Sequence, residues 1–261
     1  MSKHTRLDAE LVRRGLARSR AEARRAVEAG EVLVKGLPAT KPTSMVTATD
    51  PIAIAGQRAA FVSRGGEKLD GALKRLDVPV EGRRWLDVGA STGGFTDRLL
   101  QGGAAEVIAL DVGYGQLDWR LRNDPRVRVI ERTNARSLRP GDLPFVPDGV
   151  TADVSFISLT VVLPALVACA AEGADLVLMV KPQFEVGKEA VGRGGVVRDP
   201  ELWRAAVAGV VDEARRLGLG LQGVAASPLA GPAGNREFFV HLRGGPGLDD
   251  SAIDAAVEGL R

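Results

Sequence analysis

Apolar residues occur in short runs from residue 85 onward, and turns or helical stretches separate most of these runs. Runs of about four to eight apolar residues are typical of strands buried on both faces of a parallel sheet. We therefore predict an α/β, Rossmann-like fold whose last two strands form an antiparallel hairpin. The seven predicted strands are residues 85–88, 106–111, 127–130, 150–154, 174–180, 221–226 and 238–242.

A glycine-rich turn joins the first predicted strand to the helix after it. Residues 85–96 read WLDVGASTGGFT, and Gly89, Gly93 and Gly94 allow a sharp turn and the close approach of a ligand. The free N–H groups at the start of the new helix face this turn. The segment therefore predicts a site for a nucleotide-type cofactor.

Four residues narrow the identity of that cofactor. A phosphate-binding loop requires lysine where this chain has Phe95, and a dinucleotide loop prefers glycine in place of Ser91. Asp111 ends the second strand, where it can accept hydrogen bonds from a ribose diol. Together with Asp87, these features favour S-adenosylmethionine, which depends less on a phosphate-binding loop than a nucleotide or dinucleotide does. A dehydrogenase remains the alternative at this point.

Charged residues at predicted strand ends indicate the methyl acceptor. Methylation of a pyrimidine at carbon 5 needs a cysteine nucleophile, but Cys169 lies in an apolar helix. A hydroxyl acceptor needs a base, and Lys181 follows the fifth strand at the edge where such folds bind ligands. Lys68 lies near the start of an amphipathic helix, and Asp153 and Glu237 are placed to hold the two lysines. Each charge taken alone is equally compatible with a surface role.

The first 54 residues predict a separate small module. Apolar residues at helical spacing between Leu7 and Leu16 predict one helix, and Ser19 with Glu22 forms the capping pattern of a second. Val32–Val34 is expected to form a strand that continues into a tight turn.

Basic residues are concentrated in this module. Residues 1–60 carry 11 Lys and Arg against 6 Asp and Glu, and few acids accompany the arginines between positions 13 and 20. Such an excess favours contact with nucleic-acid phosphates, with a solvated surface as the alternative. We expect RNA contacts from Arg6, Arg13, Arg14, Arg18, Arg20, Lys41, Arg64, Arg132, Arg136 and Lys188. The last four of these lie near the proposed reaction centre.

Longer segments resemble known families. The sequence RLDAELVRRGLARSRAEARRAVEAGEVLVKG resembles an S4-type RNA-binding domain. GGEKL, LDVGASTGGFTDRLL, DVGYGQL, ADVSFISL, VKPQFEVG and GNREFF resemble the TlyA family, which joins an S4 domain to an FtsJ-like ribose methyltransferase domain. The resemblance implies methyl transfer from S-adenosylmethionine to the 2′-hydroxyl of cytidines in ribosomal RNA of either subunit. It also implies a Lys-Asp-Lys-Glu tetrad, matched here by Lys68, Asp153, Lys181 and Glu237.

The resemblance implies a domain division as well. Residues 1–58 are expected to form the small α/β S4-type domain, 59–64 a linker, and 65–261 a seven-stranded class I methyltransferase domain. Relatives carry Arg and Trp where this linker has Ala59 and Phe61, so a role based on those side chains does not carry over directly. The implied cofactor-binding residues are Asp87, Gly89, Ala90, Ser91, Thr92, Gly93, Gly94, Phe95, Asp111, Val112 and Asn134.

Composition excludes several other classes of protein. A single cysteine in 261 residues excludes a disulfide framework and favours a cytoplasmic setting, and two histidines are too few for an imidazole metal site. The family has also been associated with haemolysis, but the longest nearly apolar run, Leu159–Ala171, is shorter than a membrane span. We therefore expect ribosomal RNA or ribosomal subunits as partners, and no membrane or metal. A non-catalytic RNA-binding or ribosome-assembly factor is the alternative function, and the sequence does not indicate an oligomeric state.

Overall fold

The structure is a computed structural model that describes residues 4–17, 19–54, 60–192 and 194–260. Contacts between residues divide the chain into two compact units, Met1–Ala60 and Phe61–Arg261. Over the described ranges, no helix has both the length and the apolar character needed to cross a bilayer.

Over residues 4–17 and 19–54, the first unit forms two helices and two small sheets. The helices pack through buried residues such as Leu7, Leu11 and Val27. The Ser19 side chain accepts a hydrogen bond from Glu22 N, as the capping pattern predicts. Its elements are β1 (His4–Arg6), α1 (Leu7–Arg13), α2 (Arg20–Glu28), β2 (Val32–Val34), β3 (Leu37–Pro38), β4 (Met45–Thr47) and β5 (Ile52–Ile54), with β1 paired to β4 and a second sheet in the order β3-β2-β5.

The second unit is built on one seven-stranded sheet. Its order is β11-β12-β10-β9-β6-β7-β8, and β12 runs antiparallel to both of its neighbours, β10 and β11. The predicted fold and final hairpin are therefore confirmed, with strand ends shifted by one or two residues. The strands are β6 (Arg84–Val88), β7 (Glu106–Leu110), β8 (Val127–Ile130), β9 (Gly149–Ala152), β10 (Asp175–Val180), β11 (Leu219–Ala226) and β12 (Phe238–Gly244).

Helices cover both faces of this sheet because successive strand residues are buried on opposite sides. Trp85 belongs to an apolar cluster with residues of α3 and α4, whereas its neighbour Leu86 belongs to a second cluster with residues of α6, α8 and α9. The helices are α3 (Arg64–Leu76), α4 (Gly94–Gln101), α5 (Trp119–Arg122), α6 (Leu159–Cys169), α7 (Pro182–Glu185), α8 (Pro200–Arg216) and α9 (Ser251–Glu258).

Strand register brings the residues predicted for the reaction centre to one edge of the sheet. Val180 pairs with Phe238, so the next residues, Lys181 and Glu237, leave the sheet at the same edge. The parallel strand β9 ends beside them and is followed by Asp153. Residues far apart in sequence therefore meet where ligands bind in open α/β sheets.

The predicted linker, residues 59–64, remains a prediction. Ala59 lies outside the described residues, whereas Phe61 belongs to the second unit. Within that unit, Val62 N donates a hydrogen bond of 2.8 Å to Asp97 Oδ2. Phe61 also packs closely on Gly66, since a Cβ at that glycine would lie 2.3 Å from the Phe61 side chain.

Candidate active site

The glycine turn after β6 passes directly over the end of β9. Gly89 has φ +80°, and a Cβ at this position would lie 2.4 Å from Asp153 O. Only glycine combines that left-handed backbone with so close an approach. Gly93 (φ +97°) is the N-cap of α4, so the first turn of this helix opens toward the loop.

Asp111 holds the loop from the neighbouring strand. Its Oδ2 accepts a hydrogen bond of 2.8 Å from Ser91 N, and its Oδ1 accepts one of 2.6 Å from Gly113 N. Each carboxylate oxygen keeps a further lone pair. Asp111 can therefore receive the two hydroxyls of a ribose without losing its backbone partners.

A cavity of about 590 Å³ lies between this loop and the segment after β9. Its volume is within the range of small-molecule and cofactor sites. Among its lining residues are five predicted for the cofactor, Gly89, Ser91, Asp111, Val112 and Asn134, together with Asp153. The lining residues that sequence reasoning missed are Val88, Leu110, Gln116, Thr133, Ala135, Val154, Ser155, Phe156, Ile157 and Val162.

Asp87, which we predicted among the cofactor-binding residues, is not among the residues that line the cavity. Its carboxylate is fully buried and accepts hydrogen bonds from Thr96 Oγ1 at 2.7 Å and Thr151 Oγ1 at 3.3 Å. Burial, reinforced by the nearby charge of Asp153, raises the pKa of Asp87 to about 7. Asp87 therefore links β6 to α4 and β9 through buried hydrogen bonds.

Five further residues that we predicted for the cofactor, all in or just after the glycine turn, do not line the cavity. A Cβ on Gly94 would lie 2.2 Å from Ser63 Oγ, so this glycine allows the starts of α3 and α4 to approach each other. The buried ring of Phe95 lies 6.0 Å from that of Phe239. The predicted residues absent from the lining are Asp87, Ala90, Thr92, Gly93, Gly94 and Phe95.

The four predicted reaction-centre residues form two lysine–acid pairs. Lys68 Nζ donates a hydrogen bond of 2.5 Å to Glu237 Oε2, and Lys181 Nζ forms an ion pair of 2.6 Å with Asp153 Oδ1. The hydrogen bond of the Lys181 ammonium goes to Ser155 Oγ at 2.8 Å. Three of the four residues are at least nine-tenths buried, and Asp153 is the member that also lines the cavity.

Phe156 is an unpredicted feature of the site. It combines φ +65° with 92% exposure, and its ring lies 5.3 Å from that of Phe184. A positive φ in a bulky residue is rare and is concentrated at functional sites. The sequence shows that Phe156 follows Asp153 by three residues. It does not show the backbone strain of Phe156 or the exposure of its side chain.

Two buried acids organise the arginines of the first unit. We expected few acidic partners for them, and this expectation was wrong. The Asp8 carboxylate, fully buried, accepts hydrogen bonds from Arg6, Arg20 and Arg24, which hold the pKa of Asp8 well below its usual range. The three arginine side chains nevertheless remain 39% to 53% exposed, so they can still contact phosphates.

Glu10 accepts hydrogen bonds from Arg13 and Arg14, but these two arginines differ in their exposure and in their other partners. Arg13 is 47% exposed, whereas Arg14 is 18% exposed and also donates to the carbonyl oxygens of Thr47, Ala48 and Asp50. Arg14 therefore ties α1 to the β4–β5 turn of its own unit. This geometry suits it less to RNA contact than Arg13.

The remaining predicted RNA contacts lie in different parts of the chain. Lys41 is exposed in the first unit, and Arg64, Arg132 and Arg136 are exposed in the second. Arg132 lies 4.3 Å from the ring centre of Tyr114. Arg18 lies outside the described residues. The backbone of Lys188 begins a short 3-10 helix, and its side chain is not among the described atoms.

No group of three or more His, Cys, Asp or Glu residues within the described part of the chain is arranged to hold a metal ion. The polar residues that line the cavity are Ser91, Asp111, Gln116, Thr133, Asn134, Asp153 and Ser155. Polar groups of this kind can bind a nucleoside and place its substituent beside a reacting centre.

The sheet topology, the glycine loop and the acid after the second strand define a class I methyltransferase that uses S-adenosylmethionine. The model of the FtsJ-like methyltransferase family matches residues 61–244, and that of the S4 domain matches residues 5–52. The chain belongs to the FtsJ-like methyltransferase family and, within it, to the S4-containing TlyA group.

Similar proteins cover nearly the whole chain. The 16S/23S rRNA (cytidine-2′-O)-methyltransferase TlyA of Mycobacterium tuberculosis is 54% identical over 99% of this chain and 100% of its own length. YqxC of Bacillus subtilis, named as a candidate rRNA methyltransferase, is 45% identical over 92% of this chain and 86% of its own. A solved structure described as a candidate hemolysin from Streptococcus thermophilus is 38% identical, with a TM-score of 0.79, and covers 99% of this chain and 96% of its own.

Proposed function

We propose that this chain transfers the methyl group of S-adenosylmethionine to the 2′-hydroxyl of cytidine in ribosomal RNA. The observation that carries the proposal is the double position of Asp153, which lines the cofactor cavity and pairs with Lys181. A lysine–acid pair next to a methyl donor is suited to a poorly acidic hydroxyl. The name of the M. tuberculosis relative supports the same reaction.

The residues of the cavity fit the proposed cofactor. Asp111 has lone pairs free for a ribose diol, and Val112 and Ile157 are among the apolar residues that line the cavity. Gly89 leaves room for the ligand because it has no side chain. Bound S-adenosylmethionine supplies an electrophilic methyl group on a positively charged sulfur.

Lys181 is the residue that we assign to the hydroxyl proton. In its neutral form, the Lys181 amine would take the proton of the ribose 2′-hydroxyl and become an ammonium ion. S-adenosylmethionine would supply the methyl group to the hydroxyl oxygen and leave as a neutral thioether, with the electron pair of the broken carbon–sulfur bond on sulfur. Asp153, 2.6 Å away, stabilises that ammonium, and Ser155 Oγ fixes its position. The proton is released to solvent before the next turnover.

Lys68 and Glu237 form the second, more buried pair at the same edge of the sheet. We assign Lys68 to electrostatic stabilisation of negative charge on the attacking oxygen. Glu237 compensates the charge of Lys68 when no substrate is present, because an unpaired ammonium at this depth would be costly.

RNA recognition is assigned to the exposed basic residues of both units. Arg6, Arg13 and Arg20 carry it in the S4-type unit, and Arg64, Arg132 and Arg136 carry it in the methyltransferase unit. Phosphate contacts of this kind position an RNA without reading its sequence. We propose that the substrate is ribosomal RNA, free or within a small or large ribosomal subunit.

Nucleoside analysis tests the proposal directly. The purified chain is incubated with S-adenosylmethionine and with ribosomal subunits, or their extracted RNA, from cells that lack this protein. Liquid chromatography with mass spectrometry of the digested RNA is expected to show new 2′-O-methylcytidine. Cofactor binding without any methylated nucleoside, in either subunit or in free RNA, would contradict the assignment.

A further inference from the structure

Two segments of the methyltransferase unit meet beside the cofactor cavity. We call residues 153–158 the acceptor loop and residues 181–185 the lysine segment. Lys181 contacts Asp153 and Ser155, and the ring of Phe184 lies against that of Phe156. The acceptor loop supplies a wall of the cavity, and the lysine segment supplies the proposed base.

A third link between the segments is Glu185, the last residue of the lysine segment. Its Oε2 accepts a hydrogen bond of 2.5 Å from Ser158 Oγ, and its Oε1 accepts one of 2.9 Å from Leu159 N. Ser158 is the N-cap of α6, and its hydroxyl also lies 2.7 Å from Thr160 Oγ1. Glu185 therefore fixes the point where the acceptor loop becomes a helix.

This carboxylate is partly buried. Burial raises the pKa of Glu185, so the ionised form depends on the donors that it contacts. A carboxylate also interacts favourably with the free N–H groups and dipole at the start of the eleven-residue helix α6. The lysine segment is thus attached to the acceptor loop by a charge-assisted contact.

The backbone of the acceptor loop explains why such an attachment is needed. Phe156 has φ +65°, an unfavourable conformation for a bulky residue, and its side chain is too exposed to hold the loop by burial. A strained segment persists only when its neighbours hold it. Here Lys181 holds the start of the loop at Asp153 and Ser155, and Glu185 holds its end at Ser158.

We propose that Glu185 is a positioning residue for methyl transfer, which keeps Asp153 and Ser155 in contact with Lys181 by fixing the far end of the acceptor loop. The proposal rests on the proposed function, because it assigns Lys181 to the hydroxyl proton. Glu185 acts through the loop and does not touch the acceptor. A displacement of about 1 Å in such a site can lower a reaction rate by one to two orders of magnitude.

Glu185→Ala tests the proposal, with Glu185→Gln as the conservative variant and Glu172→Ala as an exposed control beyond the other end of α6. We expect Glu185→Ala to lower kcat about tenfold or more at saturating RNA and cofactor. Its Kd for S-adenosylmethionine should change by a smaller factor than kcat, because Asp111 and Gly89 are unchanged and the acceptor loop supplies only one wall of the cavity. Glu185→Gln should recover most of kcat, since an amide oxygen can accept from Leu159 N and its NH2 can donate to Ser158 Oγ.

Wild-type kcat in a folded Glu185→Ala protein would overturn the proposal, and so would a Glu185→Gln protein as slow as Glu185→Ala. If Glu185→Ala fails to fold, Ser158→Ala decides, because it removes one of the two donors. A reduced kcat with retained cofactor binding then supports the proposal, and an unchanged kcat refutes it. Absence of transfer by the wild-type protein in the same assay would refute the proposed function itself and is thereby distinguished from a failure of the Glu185 role.

Discussion

Lys68 Nζ lies 2.5 Å from Glu237 Oε2 although 169 residues separate the two in the chain. Their side chains are 10% and 2% exposed, so the pair is almost fully removed from water. It links α3 to the residues just before β12. In such a pair each charge offsets the cost of burying the other. Substitutions in the pair should therefore affect stability and activity differently.

Removing one member of this pair should be more harmful to stability than removing both. Lys68→Met and Glu237→Gln are each expected to lower the free energy of unfolding by about 3 kcal/mol, because the remaining group loses its partner. The double variant should recover more than half of that loss, yet both variants that lack Lys68 should lack methyl transfer. Urea denaturation and nucleoside analysis measure the two effects. A double variant no more stable than the singles would contradict this view of the pair.

The buried carboxyl of Asp87 should make stability depend on pH. Its pKa of about 7 in the folded protein exceeds its ordinary value of 3.8, so the folded state binds the proton more tightly than the unfolded state. Ionisation therefore costs stability progressively as pH rises from about 4 to about 7, and the cost is constant above that range.

Asp87→Asn removes this dependence, since its amide does not ionise. Relative to the wild type, the variant should gain up to about 4 kcal/mol of stability between pH 4 and pH 7.5, at about 1.4 kcal/mol for each pKa unit. Denaturation curves at several pH values measure the difference. Parallel pH profiles for the two proteins would show that Asp87 is not protonated preferentially in the folded state.

The position of Asp87 also shows where sequence reasoning reached its limit. Apolar runs and the glycine turn predicted the sheet, its final hairpin and the strand ends that carry Asp153 and Lys181. They did not reveal that Asp87 contacts Thr96 and Thr151. Both faces of β6 are buried, so its residues do not alternate between apolar and polar, and the sequence does not show to which face the Asp87 side chain points.

Gly89 should not tolerate a methyl group. A Cβ in Gly89→Ala would lie 2.4 Å from Asp153 O, a backbone atom that cannot move alone, and φ +80° adds strain. We expect calorimetry to show affinity for S-adenosylmethionine reduced by more than about tenfold. Gly209→Ala, within α8 and with open space around its Cβ, is the matched control and should be neutral or slightly stabilising. Equal cofactor affinity in both variants would refute the role given to Gly89.

Arg13 and Arg14 are neighbours with different expected roles. Arg13→Ala should weaken binding of ribosomal RNA and reduce the salt dependence of log K by about one unit, since one exposed cation is lost. Arg14→Ala should mainly destabilise the first unit, because three backbone carbonyls lose their donor. Filter binding at several salt concentrations and hydrogen exchange of residues 4–54 separate the two. Identical salt slopes for Arg13→Ala and the wild type would contradict an RNA contact.

The same arginines illustrate a second limit of the sequence. Their number predicted a basic surface, but Asp8 and Glu10 precede them on α1, and sequence spacing did not show that α2 brings Arg20 and Arg24 to Asp8. The pairing of β1 with β4 was also missed, since two three-residue strands about forty positions apart leave no periodic pattern. Long-range packing decides these features.

Substitution of Lys181 tests most directly whether this lysine, paired with Asp153, removes the hydroxyl proton in 2′-O-methyl transfer. The measurement is the yield of 2′-O-methylcytidine in ribosomal RNA for wild type, Lys181→Ala and Lys74→Ala, together with Kd for S-adenosylmethionine. Lys74 is the control, with a side chain that is 71% exposed on α3. We predict no product from Lys181→Ala with cofactor affinity within about threefold of wild type, and full product from Lys74→Ala. Product formation by a folded Lys181→Ala protein at the wild-type rate would contradict the account.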